Sequence, residues 1–170
     1  MKHFYSSLVA CMLLAANLPI LAETAGSGFQ VSAGTVGKCS ITADALAFNE
    51  NIPTPIIQEW TVTGGIRVLC SPATIYRVAL DLGTGNGKTC AARKMTNVAG
   101  PSTSTLDYNL YTKTTTASSV FGDGVTCGED SGERTGTGVT QTIIVYGQIP
   151  FHQNPDRGSF SDLVTATMTF

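Results

Sequence analysis

Few residues in this chain have the type and spacing to do chemistry. Gly83-Thr84-Gly85-Asn86-Gly87-Lys88-Thr89 has the composition of a phosphate-cradling loop. That chemistry needs a glycine, four residues, then Gly-Lys-Thr, so that backbone N–H groups and a lysine converge on one phosphate. Here the first position of the pattern is Leu82, and Cys90 follows where a helix should begin and offer its N-terminus. The segment reads instead as a mobile glycine turn between strands. His152 is the one histidine beyond the first 22 residues. A nucleophilic triad would need a serine or cysteine and an orienting acid around it. Ser159, Ser161, Asp156 and Asp162 are near in the chain, but no Gly-x-Ser-x-Gly elbow surrounds either serine. Asp123, Glu129, Asp130 and Glu133 gather among glycines without the regular oxygen spacing of a calcium loop, and read as a solvated loop. No catalytic residue, metal ligand set or cofactor is expected from these patterns.

The cysteines support one chemistry, which is oxidation. Cys11 lies inside an apolar run from Leu8 to Leu21 that follows Lys2 and His3 and ends at the small residue Ala22. Residues 1–22 therefore read as an export signal. Leu8-Val9-Ala10-Cys11 resembles a lipidation box, but it sits early in the apolar run rather than closing it. Cys39, Cys70, Cys90 and Cys127 remain, an even number in an exported chain, with no Cys-x-x-Cys spacing among them. Two disulfides follow, with three possible connectivities. Sequential pairing, Cys39–Cys70 and Cys90–Cys127, is the simplest, and each bridge would stabilise by about 3.5–4 kcal/mol in the chain-entropy account.

The elements that would position these groups are strands. Beyond residue 22 there are 148 residues, enough for one domain with a core. All 18 glycines and 24 threonines lie there, and only 13% of the chain is charged. Threonine and valine suit pleated surfaces and glycine suits turns, whereas both disfavour helix interiors, which excludes a helical bundle. Nine basic against twelve acidic residues leave no electrostatic footprint for nucleic acid. No later apolar run is long enough to span a bilayer. Period-2 alternation marks strands at residues 29–34, 66–70, 75–80, 106–111 and 164–170, with residues 142–146 a continuous buried-type run. Short strands separated by Gly, Pro, Asn and Asp turns imply an all-β sandwich. The last strand runs to Phe170, whose parity puts it on the apolar face and implies a buried chain end.

Taken in order, the motifs of residues 34–170 resemble the spore coat protein U domain family, pilin subunits of the archaic (Csu-type) chaperone–usher class. The resemblance rests on Cys39-Ser40-Ile41 with Leu46-Ala47-Phe48, and on Gly65-Ile66-Arg67-Val68-Leu69-Cys70. It continues through Tyr76-Arg77-Val78-Ala79-Leu80-Asp81-Leu82-Gly83, Arg93-Lys94-Met95 and Leu106-Asp107-Tyr108-Asn109-Leu110-Tyr111. Phe121-Gly122-Asp123-Gly124, Val145-Tyr146-Gly147-Gln148-Ile149-Pro150 and Gly158-Ser159-Phe160-Ser161-Asp162 follow, before an alternating C-terminus that ends on an aromatic residue. Asn49-Glu50 after Phe48, Gln148 and Phe160 depart from the residues common in that family.

The resemblance implies an incomplete immunoglobulin-like sandwich that lacks its last strand and is completed by donor-strand complementation. It implies a non-enzymatic structural subunit of a surface pilus that passes through the periplasm to the cell surface and serves adhesion and biofilm formation. The implied partners are a periplasmic chaperone, an outer-membrane usher and other pilus subunits joined head to tail. A minor adaptor or a tip adhesin binding a surface ligand is the alternative. Residues 37–170 would be the pilin domain. Residues 23–36 would be the donor extension, with Phe29, Val31 and Ala33 facing a neighbour's groove and Gln30 and Ser32 facing water. The same stretch could serve in part as this domain's own first strand. Val164, Ala166, Met168 and Phe170 would border the acceptor groove.

Overall fold

The computed structural model describes residues 27, 30–99, 102–114 and 119–170. Residues 1–22, expected to be the signal, lie outside them, as does Phe29. Residues 35–170 form one compact unit. Its strands are β1 (Cys39–Ala43), β2 (Trp60–Cys70), β3 (Ile75–Leu80), β4 (Arg93–Asn97) and β5 (Thr105–Tyr111), followed by β6 (Arg134–Thr135), β7 (Gln141–Ile149), β8 (Phe160–Ser161) and β9 (Ala166–Thr169). No α-helix occurs among the described residues, and no helix there is long and apolar enough to cross a membrane.

The strands make a six-stranded sheet in the order β1-β2-β7-β5-β4-β8 and a three-stranded sheet in the order β6-β3-β9. All named ladders are antiparallel. β2 and β7 form the longest ladder, from Trp60 opposite Ile149 to Val68 opposite Gln141. Alternation decides which side chains enter the core. Ile66, Val68 and Cys70 of β2 are buried with Tyr76, Val78 and Leu80 of β3, Leu106, Tyr108 and Leu110 of β5, and Ile143, Val145 and Ile149 of β7. Fully burying a side chain such as Val68 or Val78 stabilises by about 1.5–3 kcal/mol.

Residues 142–146 correct one expectation. The stretch is not buried throughout: Ile143 and Val145 face the core while Ile144 is 50% exposed. An antiparallel sheet packed on one face keeps the period-2 rule even where both parities carry apolar residues. The alternation at residues 29–34 also forms no strand in this chain among the described residues, since the first strand begins at Cys39.

Both disulfides pair sequentially, Cys39–Cys70 and Cys90–Cys127. Cys39 and Cys70 are opposite each other in the β1–β2 ladder, with Cα atoms 4.1 Å apart. The bridge therefore joins neighbours within one sheet, not two layers across the core. Cys90–Cys127 joins the loop after β3 to the loop after β5.

Candidate functional site

The site is a sheet edge beside a cleft with an apolar floor. Among the described residues, β9 has a strand neighbour on one side only, β3, with Leu80 opposite Ala166 and Arg77 opposite Thr169. The Asp81 N–H donates to the Thr165 carbonyl at 3.1 Å. By the alternation of an antiparallel ladder, Thr165, Thr167 and Thr169 turn their main-chain groups toward β3. Ala166 and Met168 turn theirs to the side where no strand of the described residues lies.

Beside this edge lies a cleft of about 1530 Å³. Its floor is the core itself, including Leu80, Tyr108, Leu110, Val145 and Ile149. One wall is the segment 44–54 that follows β1, and the other is the stretch 155–164 with Ala166. A missing strand explains why core side chains line an opening of this size. A sheet edge with apolar side chains beneath it is a site for strand addition.

The first wall follows from small residues under large ones. Leu46 and Phe48 are half-buried and pack on the core. They fill the hollow that Gly64 and Gly147 leave on the inner face of β2 and β7. A Cβ on Gly147 would come within 2.9 Å of Leu46 Cδ2 and 3.0 Å of Phe48 Cζ. The Phe48 ring meets Tyr108 edge-on, with centroids 6.4 Å apart. At its start, the Asp44 N–H donates to Gly65 O, and the Asp44 carboxylate accepts from Arg67 Nη2.

The second wall is held by carboxylates. Asp162 Oδ1 accepts from the Thr84 N–H at 2.7 Å, the Gly85 N–H at 3.1 Å and the Thr84 hydroxyl at 2.9 Å. Its Oδ2 accepts from the Tyr108 hydroxyl at 2.7 Å. Burial alone would raise the Asp162 pKa, but these hydrogen bonds outweigh it and hold the carboxyl below its ordinary range. Burial, then donation to Asp162, pushes the Tyr108 phenol up. Asp81 Oδ1 accepts from the N–H groups of Gly83 and Thr165, and these bonds likewise outweigh burial and lower its pKa. Beneath them Arg93, 0% exposed, donates to the carbonyls of Asp81 and Phe121 and to Asn109 Oδ1.

The glycine-rich segment 83–89 is thus not a free turn. Its first amides close on a carboxylate of this same chain, the kind of anion such amides favour. Gly83 adopts a φ of +80°, and a Cβ there would meet Asp162 Oδ2 at 2.0 Å. His152 is exposed, with a φ of +65°, and no group of three or more His, Cys, Asp or Glu suited to a metal occurs among the described residues. Asp123 turns inward on its own loop: the Thr126 hydroxyl and the N–H groups of Val125, Thr126 and Cys127 donate to it and lower its pKa.

Of the four residues expected at the acceptor edge, Val164, Ala166 and Met168 are half-buried against the core, and Val164 and Ala166 line the cleft. Phe170 is 62% exposed, which corrects the expected buried chain end. It shares the parity of Ala166 and Met168, but the β3 ladder ends at Thr169 and no strand among the described residues flanks β9 on its other side. Val31 is 79% exposed and Ala33 is also exposed. The buried Arg93 and the carboxylate hooks escaped the sequence reading. Their one signal was the Arg93-Lys94 pair within a strand that lacks clean alternation.

Comparisons with known proteins agree with this architecture. The model of the Spore Coat Protein U domain matches residues 25–167. The chain is 30% identical to "Protein U" of Myxococcus xanthus, over 99% of this chain and 98% of that protein. In fold it is similar to a chain of the CsuC–CsuE chaperone–tip adhesion subunit pre-assembly complex from the archaic chaperone–usher Csu pili of Acinetobacter baumannii. That likeness has a TM-score of 0.55 and 22% identity, and covers 79% of this chain and 40% of the other. By its motifs, its two-sheet fold and these matches, the chain belongs to the Spore Coat Protein U domain family.

Proposed function

We propose that the chain is a structural subunit of a surface pilus that polymerises by donor-strand exchange. A periplasmic chaperone fills the cleft first and delivers the subunit to an outer-membrane usher, where the extension of another subunit replaces the chaperone strand. Residues 1–22 direct export, residues 23–36 are the donor, and residues 37–170 form the domain that accepts. The fibre serves adhesion and biofilm formation, and no step requires an enzyme or cofactor. The observation that carries this reading is β9, paired on one side only among the described residues and flanked by a cleft floored with core side chains. Residues 30–36 support the donor role, because they take no place in either sheet and expose Val31. In strand addition, main-chain bonds give affinity and alternate side chains fill pockets, so Phe29, Val31 and Ala33 enter the neighbour's cleft beside its Val164, Ala166, Met168 and Phe170. Such contacts repeat head to tail without closing, which builds a fibre.

The test is Val31→Asp in the full chain produced with its chaperone. Fibre growth is lost and a soluble one-to-one chaperone complex remains, because the chaperone occupies the cleft and not the extension. Loss of the chaperone complex instead would place Val31 in the subunit's own core and overturn the assignment.

A further inference from the structure

A four-residue edge strand with one neighbour should fray, because half of its main-chain groups have no ladder partner to hold them. Yet an incoming strand needs that edge already extended and in register. Any fraction of time spent frayed weakens capture in proportion. The stretch leading into β9 carries two devices that oppose fraying. Asp162 ties the entry to the glycine loop after β3 and to Tyr108 of β5 through four hydrogen bonds, with a fifth from the Leu163 N–H at 2.8 Å. Three residues on, the Thr165 N–H donates to Asp81 Oδ1 at 2.9 Å, while Thr165 O accepts from the Asp81 N–H. The loop is shaped for this grip: a Cβ on Gly83 would strike the Asp162 carboxylate, and one on Gly85 would lie 1.7 Å from Lys94 O.

We propose, resting on the reading of β9 as an acceptor edge, that Asp162 is a positioning residue that holds this edge in strand-ready register before the donor of a second copy of this chain arrives. A residue that only steadied its own loop would have no need of partners on β5 and in the glycine loop after β3. Asp162 sits in the cleft wall next to Val164 and Ala166, where loss of its grip frees the edge and leaves the β2–β7 ladder intact.

The experiment uses the oxidised full chain, refolded with both disulfides and carrying Val31→Asp in every version so that its own extension does not compete, and a synthetic peptide of residues 23–36 as the probe. Asp162→Ala is compared with Ile143→Val, a core truncation on β7 away from the cleft. Thr84→Val, which removes one hydroxyl donor, stands in if Asp162→Ala does not fold. Amide hydrogen exchange is followed strand by strand, and peptide dissociation is measured alongside. In Asp162→Ala the amides of residues 165–169 exchange about tenfold or more faster with β2 and β7 unchanged, and peptide affinity falls about tenfold if the competent fraction falls to a tenth. Ile143→Val shifts exchange in all strands together and leaves affinity within about twofold of the chain carrying Val31→Asp alone. Uniform acceleration across every strand in Asp162→Ala, or an affinity loss no larger than in Ile143→Val, overturns the proposal. If the chain carrying Val31→Asp alone does not bind the peptide, the donor assignment fails, and the exchange pattern still decides the role of Asp162.

Discussion

Arg93→Met tests how the closed end of this sandwich is held. The guanidinium is fully buried and donates at 2.6 Å to Phe121 O, 2.6 Å to Asn109 Oδ1, and 2.7 and 3.1 Å to Asp81 O. Replacing a buried ion with an apolar residue of similar length is often neutral, because the desolvation cost disappears with the charge. That argument fails when the partners are backbone carbonyls that remain behind. Asn109 Oδ1 keeps the Leu110 N–H at 3.0 Å, and water reaches Asp81, which is exposed. Phe121 is 0% exposed, so its carbonyl loses the Arg93 donor with no water at hand, at about 1–3 kcal/mol. Adding part of the charge-assisted bonds to Asp81 and Asn109 gives about 3 kcal/mol, or about 6–12 °C in Tm for a domain of this size. Arg93→Lys should recover less than half of that. A single ammonium cannot reach three acceptors that the planar fork reaches from one position. Urea unfolding of the chain with residues 23–36 appended after Phe170 reads both values without interference from polymerisation. A lysine variant within about 0.5 kcal/mol of wild type would refute the fork argument, since that is smaller than one hydrogen bond's net contribution. A methionine variant as stable as wild type would refute the claim that Phe121 O is orphaned.

Three further outcomes follow from the same geometry. Replacing Cys39 and Cys70 together by alanine, or Cys90 and Cys127 together, should lower stability by about 3.5–4 kcal/mol per bridge, and mass mapping of a non-reduced digest should return only the 39–70 and 90–127 linkages. Asp81 and Asp162 both titrate below their ordinary values in the fold; their contribution is therefore full above the unfolded carboxyl pKa of about 4 and is lost as pH falls through the depressed folded values. Unfolding midpoints followed from pH 6 to pH 2 should show that loss, and Asp162→Asn should flatten it; an unchanged pH profile in the variant would count against the network. Gly147→Val should cost about 1–3 kcal/mol by overpacking and should loosen residues 44–49, because the new side chain takes the space of Leu46 and Phe48. Faster amide exchange confined to that segment is the expected signature.

Much of the fold was legible because burial on one face leaves a period of two. Ile66, Val68 and Cys70, or Tyr76, Val78 and Leu80, announce their strands and their inward faces in the sequence. Sequential disulfide pairing was the simplest of three connectivities that the cysteine count left open, and the β1–β2 ladder, which sets Cys39 opposite Cys70, decides the first bridge. Residues 142–146 misled because Ile144 and Tyr146 are apolar on the outer parity, where composition cannot tell exposure from burial. Phe170 misled because parity names a face but not whether a neighbour exists to cover it. The contacts of Arg93 and Asp162 were invisible for a different reason. Their partners lie 12–28 residues away from Arg93 and 54–78 residues away from Asp162, and no local pattern encodes so distant a contact.

The placement of these long-range ties makes sense of an open edge in a folded domain. A sandwich without one strand leaves side chains such as Phe160, Val164 and Ala166 only half-buried along the cleft, and that loss falls on the β9 side. The bonds that replace a ladder are placed there. Asp81 and Asp162 fasten the approach to β9, while Arg93 binds the end of β3 to the loop at Phe121. Cys90–Cys127 closes over the same region by joining the two loops that flank Arg93 and Phe121. The β1 edge is served instead by Cys39–Cys70. Each border of the gap is thus fixed by covalent or polar ties that do not depend on a strand being present in it. The apolar surface between the borders is left for the incoming strand, so that burial of donor side chains is realised on assembly rather than on folding. Such a division predicts that truncating half-buried cleft residues, as in Val164→Ala, weakens the assembled fibre more than the empty subunit, whereas Arg93 and disulfide variants weaken both alike. Comparing unfolding midpoints of the subunit with and without the appended donor checks this directly: an equal loss from Val164→Ala in both forms would show that this border is already fully engaged before a strand arrives.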